Sequence, residues 1–238
     1  MKYYPVFLDL QNKPCLVVGG GAVGARKVDR LLSCGARVTV VTIAADEGLH
    51  RLAVKNRIRL LIRPYCSSDL NGQWMVIGAT NDASLNRRIS HDADALHMLC
   101  NIADRPACCN FILPSLVEQG DLVVAVSTSG QSPALAKKLR RELQQRFDPA
   151  YAVLLTLLGA VRRKLLAAAH APEAHKPLFE KLVNSDLLDA IRRQDTAAAD
   201  AILQSVLGKE FDYASLLGAQ ESKGQRVSRP ETASGVCR

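Results

Sequence analysis

Short apolar runs alternate with amphipathic stretches over the first hundred residues of this chain. Cys15-Leu16-Val17-Val18 is a continuous apolar run ending at glycines, the pattern of a strand buried on both faces. From Ala22 to Cys34, Val23, Val28, Leu31 and Leu32 fall on one side at helical spacing, and Gly35 closes the segment. Arg37 to Val41 reads as a second strand, Ala53-Val54 as part of a short helix, Ile58 to Ile62 as a strand and Trp74 to Ala79 as a buried strand. Ala83 to Ala95 predicts a helix and Met98 to Ile102 a further strand. This alternation predicts an α/β, Rossmann-like doubly wound parallel sheet with helices on both faces.

Beyond Asp104 the pattern changes. Asn110 to Pro114 and Leu122 to Val126 read as two strands separated by a turn around Glu118-Gln119-Gly120-Asp121. Ser132-Pro133 opens a long helix, with Ser132 as N-cap and Pro133 in its first turn. Leu135, Leu139 and Leu143 form its apolar side. From Pro149 to about Leu217 the pattern is helical, with breaks near Pro172, Pro177 and Asp195. From Gly218 onward, glycine, serine, proline and charge dominate, which predicts a disordered tail. The expected divisions are 1–113 as a dinucleotide-binding domain, 114–147 as a dimerisation region, 148–217 as a helical domain and 218–238 as the tail.

Composition narrows the class. Charged residues make up 23% and the hydrophobic set 48%, an ordinary globular balance. No run is long enough for a membrane helix, and Pro5, Asp9 and Asn12 interrupt the N-terminus too early for a signal peptide. Seven cysteines without a CxxC spacing imply reduced thiols and a cytoplasmic location. Adjacent Cys108 and Cys109 read as buried small apolar residues. His91, His97, His170 and His175 lack convincing ligand spacing and read as surface residues, leaving any metal site unknown. The net charge of +8 asks for an anionic partner, and Gln131 to His170 holds eight lysines and arginines against two acids. Aromatic content of 5% and the lack of basic-aromatic interleaving argue against nucleic acid.

Gly19-Gly20-Gly21-Ala22-Val23-Gly24 satisfies G-x-G-x-x-G between a predicted strand and a predicted helix, the context in which the motif signifies a dinucleotide. Glycine suits the tight turn, close backbone approach to a pyrophosphate, and helix-on-strand packing. Amides at the helix N-terminus then face the phosphates. The expected cofactor contacts are Gly19, Gly21, Ala22, Val23 and Gly24. An acid that would hold ribose hydroxyls is missing after the second strand, where Val41-Thr42 stands, and no basic residue there awaits a 2′-phosphate. The pattern favours NAD mildly, with Thr42, Ile43 and Ala44 as ribose contacts.

The chain resembles the precorrin-2 dehydrogenase/sirohydrochlorin ferrochelatase family, which includes the N-terminal module of siroheme synthase. The resemblance spans roughly residues 3 to 215. It is carried by Pro5-Val6-Phe7, the glycine turn continued through Ala25-Arg26-Lys27, Ala79-Thr80-Asn81-Asp82 with Leu85-Asn86, and Cys100-Asn101-Ile102-Ala103-Asp104. Phe111 to Ser115 and Val126 to Ala136 complete it. The resemblance implies oxidation of precorrin-2 to sirohydrochlorin with NAD as hydride acceptor, with ferrous iron as a further substrate where members make siroheme. It also implies an intertwined homodimer with its site in a cleft between domains. No fused methyltransferase module is expected in 238 residues, so precorrin-2 would come from another protein.

By resemblance Asp104 is the catalytic carboxylate, at the carboxyl edge of the sheet where such folds bind ligands. It could accept the proton shed on oxidation or the pyrrole protons shed on metal insertion. Read without the resemblance, it is an Asp that turns the chain before Arg105-Pro106. Thr80 joins the expected cofactor contacts. Asn101, Ser127, Thr128, Ser129, Gly130 and Lys137 are the expected substrate contacts, with Lys138, Arg140 and Arg141 adding charge for a tetrapyrrole with eight carboxylates. Asn101 could instead bond only at a strand end, and a basic helix face could be merely solvated. Thr128 stands where relatives often carry a serine that can be phosphorylated. A non-catalytic NAD-sensing module and a nucleic-acid binder are the alternatives from other classes.

Overall fold

The computed structural model describes residues 2–167 and 172–224. Its contacts fall into two units: the chain as far as Leu113 together with Ser129–Ser132, and Pro114–Thr128 with everything from Pro133 onward.

In the first unit, β1 (Pro14–Gly20), β2 (Arg37–Ala45), β3 (Ile58–Ile62), β4 (Met75–Gly78) and β5 (Leu99–Ile102) form one sheet. Every pairing is parallel and the order is β3-β2-β1-β4-β5. Helices α1 (Ala22–Ser33), α2 (Glu47–Val54) and α3 (Ala83–Ala95) supply crossovers. The alternation of side chains along a strand explains why both faces are covered. Cys15 and Val17 face Val28 and Leu31 of α1, with Leu49 of α2, in one cluster. Leu16 and Val18 face Ile89 and Ala93 of α3 in another. Residues 15–20 are all buried, and a fully buried side chain such as Leu16 contributes about 1.5–3 kcal/mol. The doubly wound fold read from the sequence is the fold observed, and its strand order reverses between β1 and β4, where such sheets bind ligands.

Several local expectations are revised. The strand β2 runs to Ala45, so Thr42, Ile43 and Ala44 lie within it; Ala53-Val54 is part of a short helix as read, the last turn of α2, which starts at Glu47. Asp46 caps α2, its Oδ1 accepting from the Gly48 amide at 2.7 Å. Asn110 to Pro114 is not a strand. A strand needs a ladder partner, and Leu122 pairs with Gln119 across a two-residue turn, so the hairpin is β6 (Ser115–Gln119) with β7 (Leu122–Val126). Asn110 instead pairs with β5, its Oδ1 accepting from Cys100 N at 2.8 Å and its Nδ2 donating to Met98 O at 2.8 Å.

The second unit joins that hairpin to α4 (Pro133–Arg146), α5 (Ala150–Ala167), α6 (Pro172–Val183), α7 (Leu187–Arg192), α8 (Thr196–Leu207) and α9 (Tyr213–Gly224). Its core centres on Leu157, Val161, Leu182, Leu187, Leu203 and Phe211. On α4 the buried residue is Ala136, whereas Leu135 is exposed and Leu139 and Leu143 are half-buried, so the expected leucine stripe is only partly covered. Pro177 does not break α6, because Leu178, Phe179 and Leu182 pack on the core and hold the helix through it. His175 was expected on the surface, but it falls on the same helical face and is 5% exposed. His91 and His97 are exposed, and His170 lies outside the described residues. The tail expected from Gly218 begins instead as helix: α9, anchored on the core by Leu216, propagates to Gly224 despite Gly218. Residues 225–238 lie outside the described part.

Candidate functional site

The glycine turn is built by close backbone contact. Gly19 has φ +115°, and a Cβ there would strike the Ala79 carbonyl, while one on Gly24 would strike the Gly19 carbonyl. Those two positions hold α1 against β1 and β4. A Cβ on Gly21 would meet nothing within 4 Å, because that face opens into a cavity. Gly21 caps α1 without a side-chain hydrogen bond, and no acid stands in the first turn. By contrast Asp46, Asp82 and Asp195 cap α2, α3 and α8 with their own carboxylates. A helix N-terminus left bare of anions beside an open glycine face suits a pyrophosphate, so these residues fit a dinucleotide.

The cavity measures about 1020 Å³ and gathers Gly19 to Val23, the β2 end at Thr42–Ala44, and Ala79–Asp82 beyond β4. Of the expected cofactor contacts, Gly19, Gly21, Ala22, Val23, Thr42, Ile43, Ala44 and Thr80 line it. Gly24 acts behind it, in the helix–strand contact. The Thr42 hydroxyl donates to the Ala44 carbonyl at 2.7 Å, which shapes the end of β2. Thr80 donates from Oγ1 to Asn86 Oδ1 at 2.9 Å, and buried Asn86 returns Nδ2 to the Thr80 carbonyl at 2.9 Å. This pair fixes the loop after β4.

Arg63, Tyr65 and Arg88 also line the cavity, and none was expected. Absence of a basic residue at the end of β2 was a reading along the chain alone. Arg63 stands twenty-one positions after Thr42, and its amide donates to the Thr42 carbonyl at 2.8 Å across the β2–β3 ladder. The only linear signal was a basic residue directly after the third apolar strand.

Asp104 lies in the turn leaving β5, exposed, with φ +59°. The pairing of Gly78 with Ile102 places it next to the loop that carries Thr80. The left-handed backbone is tolerated by Asp better than by most residues, and it aims this segment beyond the carboxyl edge of the sheet. Lys27 of α1 is half-buried and within electrostatic reach of Asp104. Burial, with Arg26, lowers the Lys27 pKa from the usual lysine value, while Asp104 and Cys109 pull it up.

Cys108 and Cys109 are half-buried rather than buried. Cys109 Sγ accepts from Ile102 N at 3.1 Å and lies 3.2 Å from the Arg105 carbonyl, so it ties down the Asp104 turn. Burial pushes the Cys109 thiol up from its ordinary value, and that of Cys100 up to about 12. Asn101 is 8% exposed and its Nδ2 donates to the Phe111 carbonyl at 3.0 Å. The structure thus places it as a strand-end hydrogen-bonder.

Ser127 to Gly130 link β7 to α4, with Ser129 at φ +52° and Gly130 at φ +83°. Ser127, Ser129 and Gly130 are exposed and Thr128 is half-buried. Lys137 is exposed on α4. Lys138 lies 3.8 Å from Glu142, and Arg140 donates to Gln144 at 2.5 Å, so part of the basic cluster is engaged along its own helix. Among the described residues no group of three or more His, Cys, Asp or Glu is placed to hold a metal ion, and no helix is long and apolar enough to cross a membrane.

Comparison with known proteins agrees with this geometry. Residues 6–115 match a family model for NAD(P)-binding domains, and residues 119–146 match the sirohaem biosynthesis protein central model. The chain is 33% identical over 212 residues to the siroheme synthase of Vesicomyosocius okutanii subsp. Calyptogena okutanii, covering 89% of this chain and 46% of that protein. It is 35% identical over 211 residues to that of Nitrosococcus oceani, covering 89% and 45%. It therefore spans about half the length of these relatives. A solved structure described as SirC, precorrin-2 dehydrogenase, superposes with a TM-score of 0.73 at 25% identity, covering 86% of this chain and 98% of that one. With its NAD(P)-binding domain and its sirohaem-type central segment, the chain is similar to siroheme synthases over about half of their length and to a precorrin-2 dehydrogenase over nearly all of its length.

Proposed function

We propose that this chain oxidises precorrin-2 to sirohydrochlorin, with NAD taking the hydride, as a step in siroheme biosynthesis. The observation that carries this reading is Asp104: an exposed carboxylate at the carboxyl edge of β5, adjoining the loop of Thr80 that lines the dinucleotide cavity. Bound NAD supplies a two-electron acceptor at that edge. Oxidation removes a hydride and a proton from the macrocycle, and the Asp104 carboxylate takes the proton. Gly21, Ala22 and Val23 bind the pyrophosphate through backbone amides, and Thr42, Ile43 and Ala44 border the adenosine ribose. Lys27 adds a cation beside Asp104 for a substrate carboxylate, and Ser127 to Gly130 with Lys137 are the further carboxylate contacts, with Asn101 acting through the Phe111 segment.

A second reading adds insertion of ferrous iron into the product, with iron as substrate and Asp104 accepting pyrrole protons. The identity of 33–35% to siroheme synthases favours it. Residues 114–147, where Leu135 is exposed, we assign to a homodimer contact in a cytoplasmic enzyme.

Precorrin-2 supplied anaerobically with NAD should yield sirohydrochlorin and NADH in equal amounts, followed by absorbance. Asp104→Asn should lower the rate by about 10²–10⁴-fold, the range for loss of a general base. Formation no faster than without enzyme would sink the dehydrogenase reading. Iron uptake no faster than without enzyme would leave oxidation alone.

A further inference from the structure

The end of the cavity beside β2 holds two arginines, and both face carboxylates. Arg63 follows β3 directly, and the hydrogen bond its amide donates to the Thr42 carbonyl sets it beside the end of β2, where a doubly wound sheet holds the adenosine ribose. Its guanidinium does not point freely into that space. Nη1 donates to Asp69 Oδ2 at 2.9 Å and Nη2 to Asp69 Oδ1 at 2.5 Å, a two-pronged pair. Nη1 also reaches the Pro64 carbonyl at 3.0 Å. Asp69 is nearly buried, its side chain 7% exposed, and it accepts from the Cys66 amide at 2.9 Å as well.

Arg88 is engaged in the same way. It lies 3.7 Å from Asp92, donates to Ser67 Oγ at 3.1 Å and sits over the Tyr65 ring. Asp92 is further fixed by the Tyr65 hydroxyl at 3.0 Å. Two cations and two anions therefore leave this end of the cavity without net positive charge.

We propose that the Arg63–Asp69 pair selects NAD over NADP. The proposal rests on the dinucleotide reading of the cavity and assigns its specificity. An uncharged ribose 2′-hydroxyl can lie beside a neutral ion pair without penalty. A 2′-phosphate brings up to two negative charges next to a desolvated carboxylate, and Arg63, the cation beside the end of β2, is already held by that carboxylate. Recruiting Arg63 would strip Asp69 of its partner, which a nearly buried carboxylate tolerates poorly. Asp69 thus acts on the cofactor through Arg63, by withholding it.

The test is the binding of NADH and NADPH to the full chain by nucleotide fluorescence, a readout independent of any turnover. The parent should bind NADH more tightly than NADPH by about tenfold or more. Asp69→Asn keeps the shape and removes the charge, and should narrow that ratio by about tenfold through tighter NADPH binding. Arg63→Gln leaves Asp69 uncompensated and should widen the ratio, and it carries the test if thermal melting shows Asp69→Asn unfolded. Equal affinity of the parent for both nucleotides would overturn the proposal, as would an unchanged ratio in folded Asp69→Asn or in Arg63→Gln. Failure of both nucleotides to bind would overturn the dinucleotide reading together with it, whereas an altered ratio without precorrin-2 turnover would keep the specificity assignment and remove only the proposed substrate.

Discussion

The sheet unit and the helical unit solve different problems with the same kinds of residue. In the first, the core is two thin layers on either side of five parallel strands, and the strands end together at one edge. That edge and the loops leaving it carry the glycine turn, the end of β2 at Thr42, and Arg63, Thr80 and Asp104, so chemistry gathers where the apolar packing layers stop. In the second, residues of α5 to α9 converge on one apolar centre, and polar groups act as struts. Arg192 joins Asp148 at 2.7 Å and Asp189 at 2.8 Å, tying the approach to α5 to α7. Even a histidine, His175, is drawn into that core. Sheet edges expose functional groups by geometry, while helical cores absorb them.

The sharpest way to break this contrast is to damage one unit and watch the other. Leu157 is fully buried in the helical core, and Leu157→Ala should cost about 2–5 kcal/mol of stability in urea unfolding. NADH affinity should stay within twofold of the parent at temperatures where the variant remains folded, since none of the cavity residues belongs to that core. A proportional loss of affinity would contradict the division of labour. The reverse experiment is Gly24→Ala. Its Cβ would strike the Gly19 carbonyl, so a loss of about 1–3 kcal/mol is expected, together with weakened NADH binding because the turn itself must shift. Unaltered affinity would show that the turn does not hold the pyrophosphate.

The smallest effect concerns pH. The Arg63 guanidinium, through its hydrogen bonds, holds the Asp69 carboxyl below the usual carboxylate value. Because the folded pKa is the lower one, the pair's contribution is fully present above the unfolded value of about 3.9 and is lost as pH falls through the folded value. Asp69→Asn should therefore flatten the decline of stability with acid below about pH 4, as read from melting temperatures. A decline as steep as the parent's would show that the pair contributes little to the sheet unit.

Much of this was legible along the chain, for identifiable reasons. Ile58–Ile62 and Ala83–Ala95 were read with the bounds observed, because Arg57 and Arg63 flank the first and the Asp82 carboxylate caps the start of the second. Asn110 to Pro114 misled because an apolar run satisfies a strand only when a partner is in register, and the register here is set by the tight turn at Gly120-Asp121. Lys27 appeared only as part of a motif, since its nearness to Asp104 follows from how α1 lies against the sheet. Thr42 and Asn101 were named as cofactor and substrate contacts, yet their hydrogen bonds turn inward to Ala44 and Phe111, directions no spacing reveals.

Sequence by itself determined the doubly wound sheet, the glycine turn and the family motifs around Asp104, because these depend on local periodicity and on residue types that a backbone conformation demands. Only the tertiary structure decided which charges gather at the end of the cavity. Arg63, Asp69, Arg88 and Asp92 are scattered over thirty positions, and the parallel pairing of β2 with β3 is what brings the first of them beside Thr42. Parallel strands join residues far apart in the chain through crossovers whose length carries no trace of the contact.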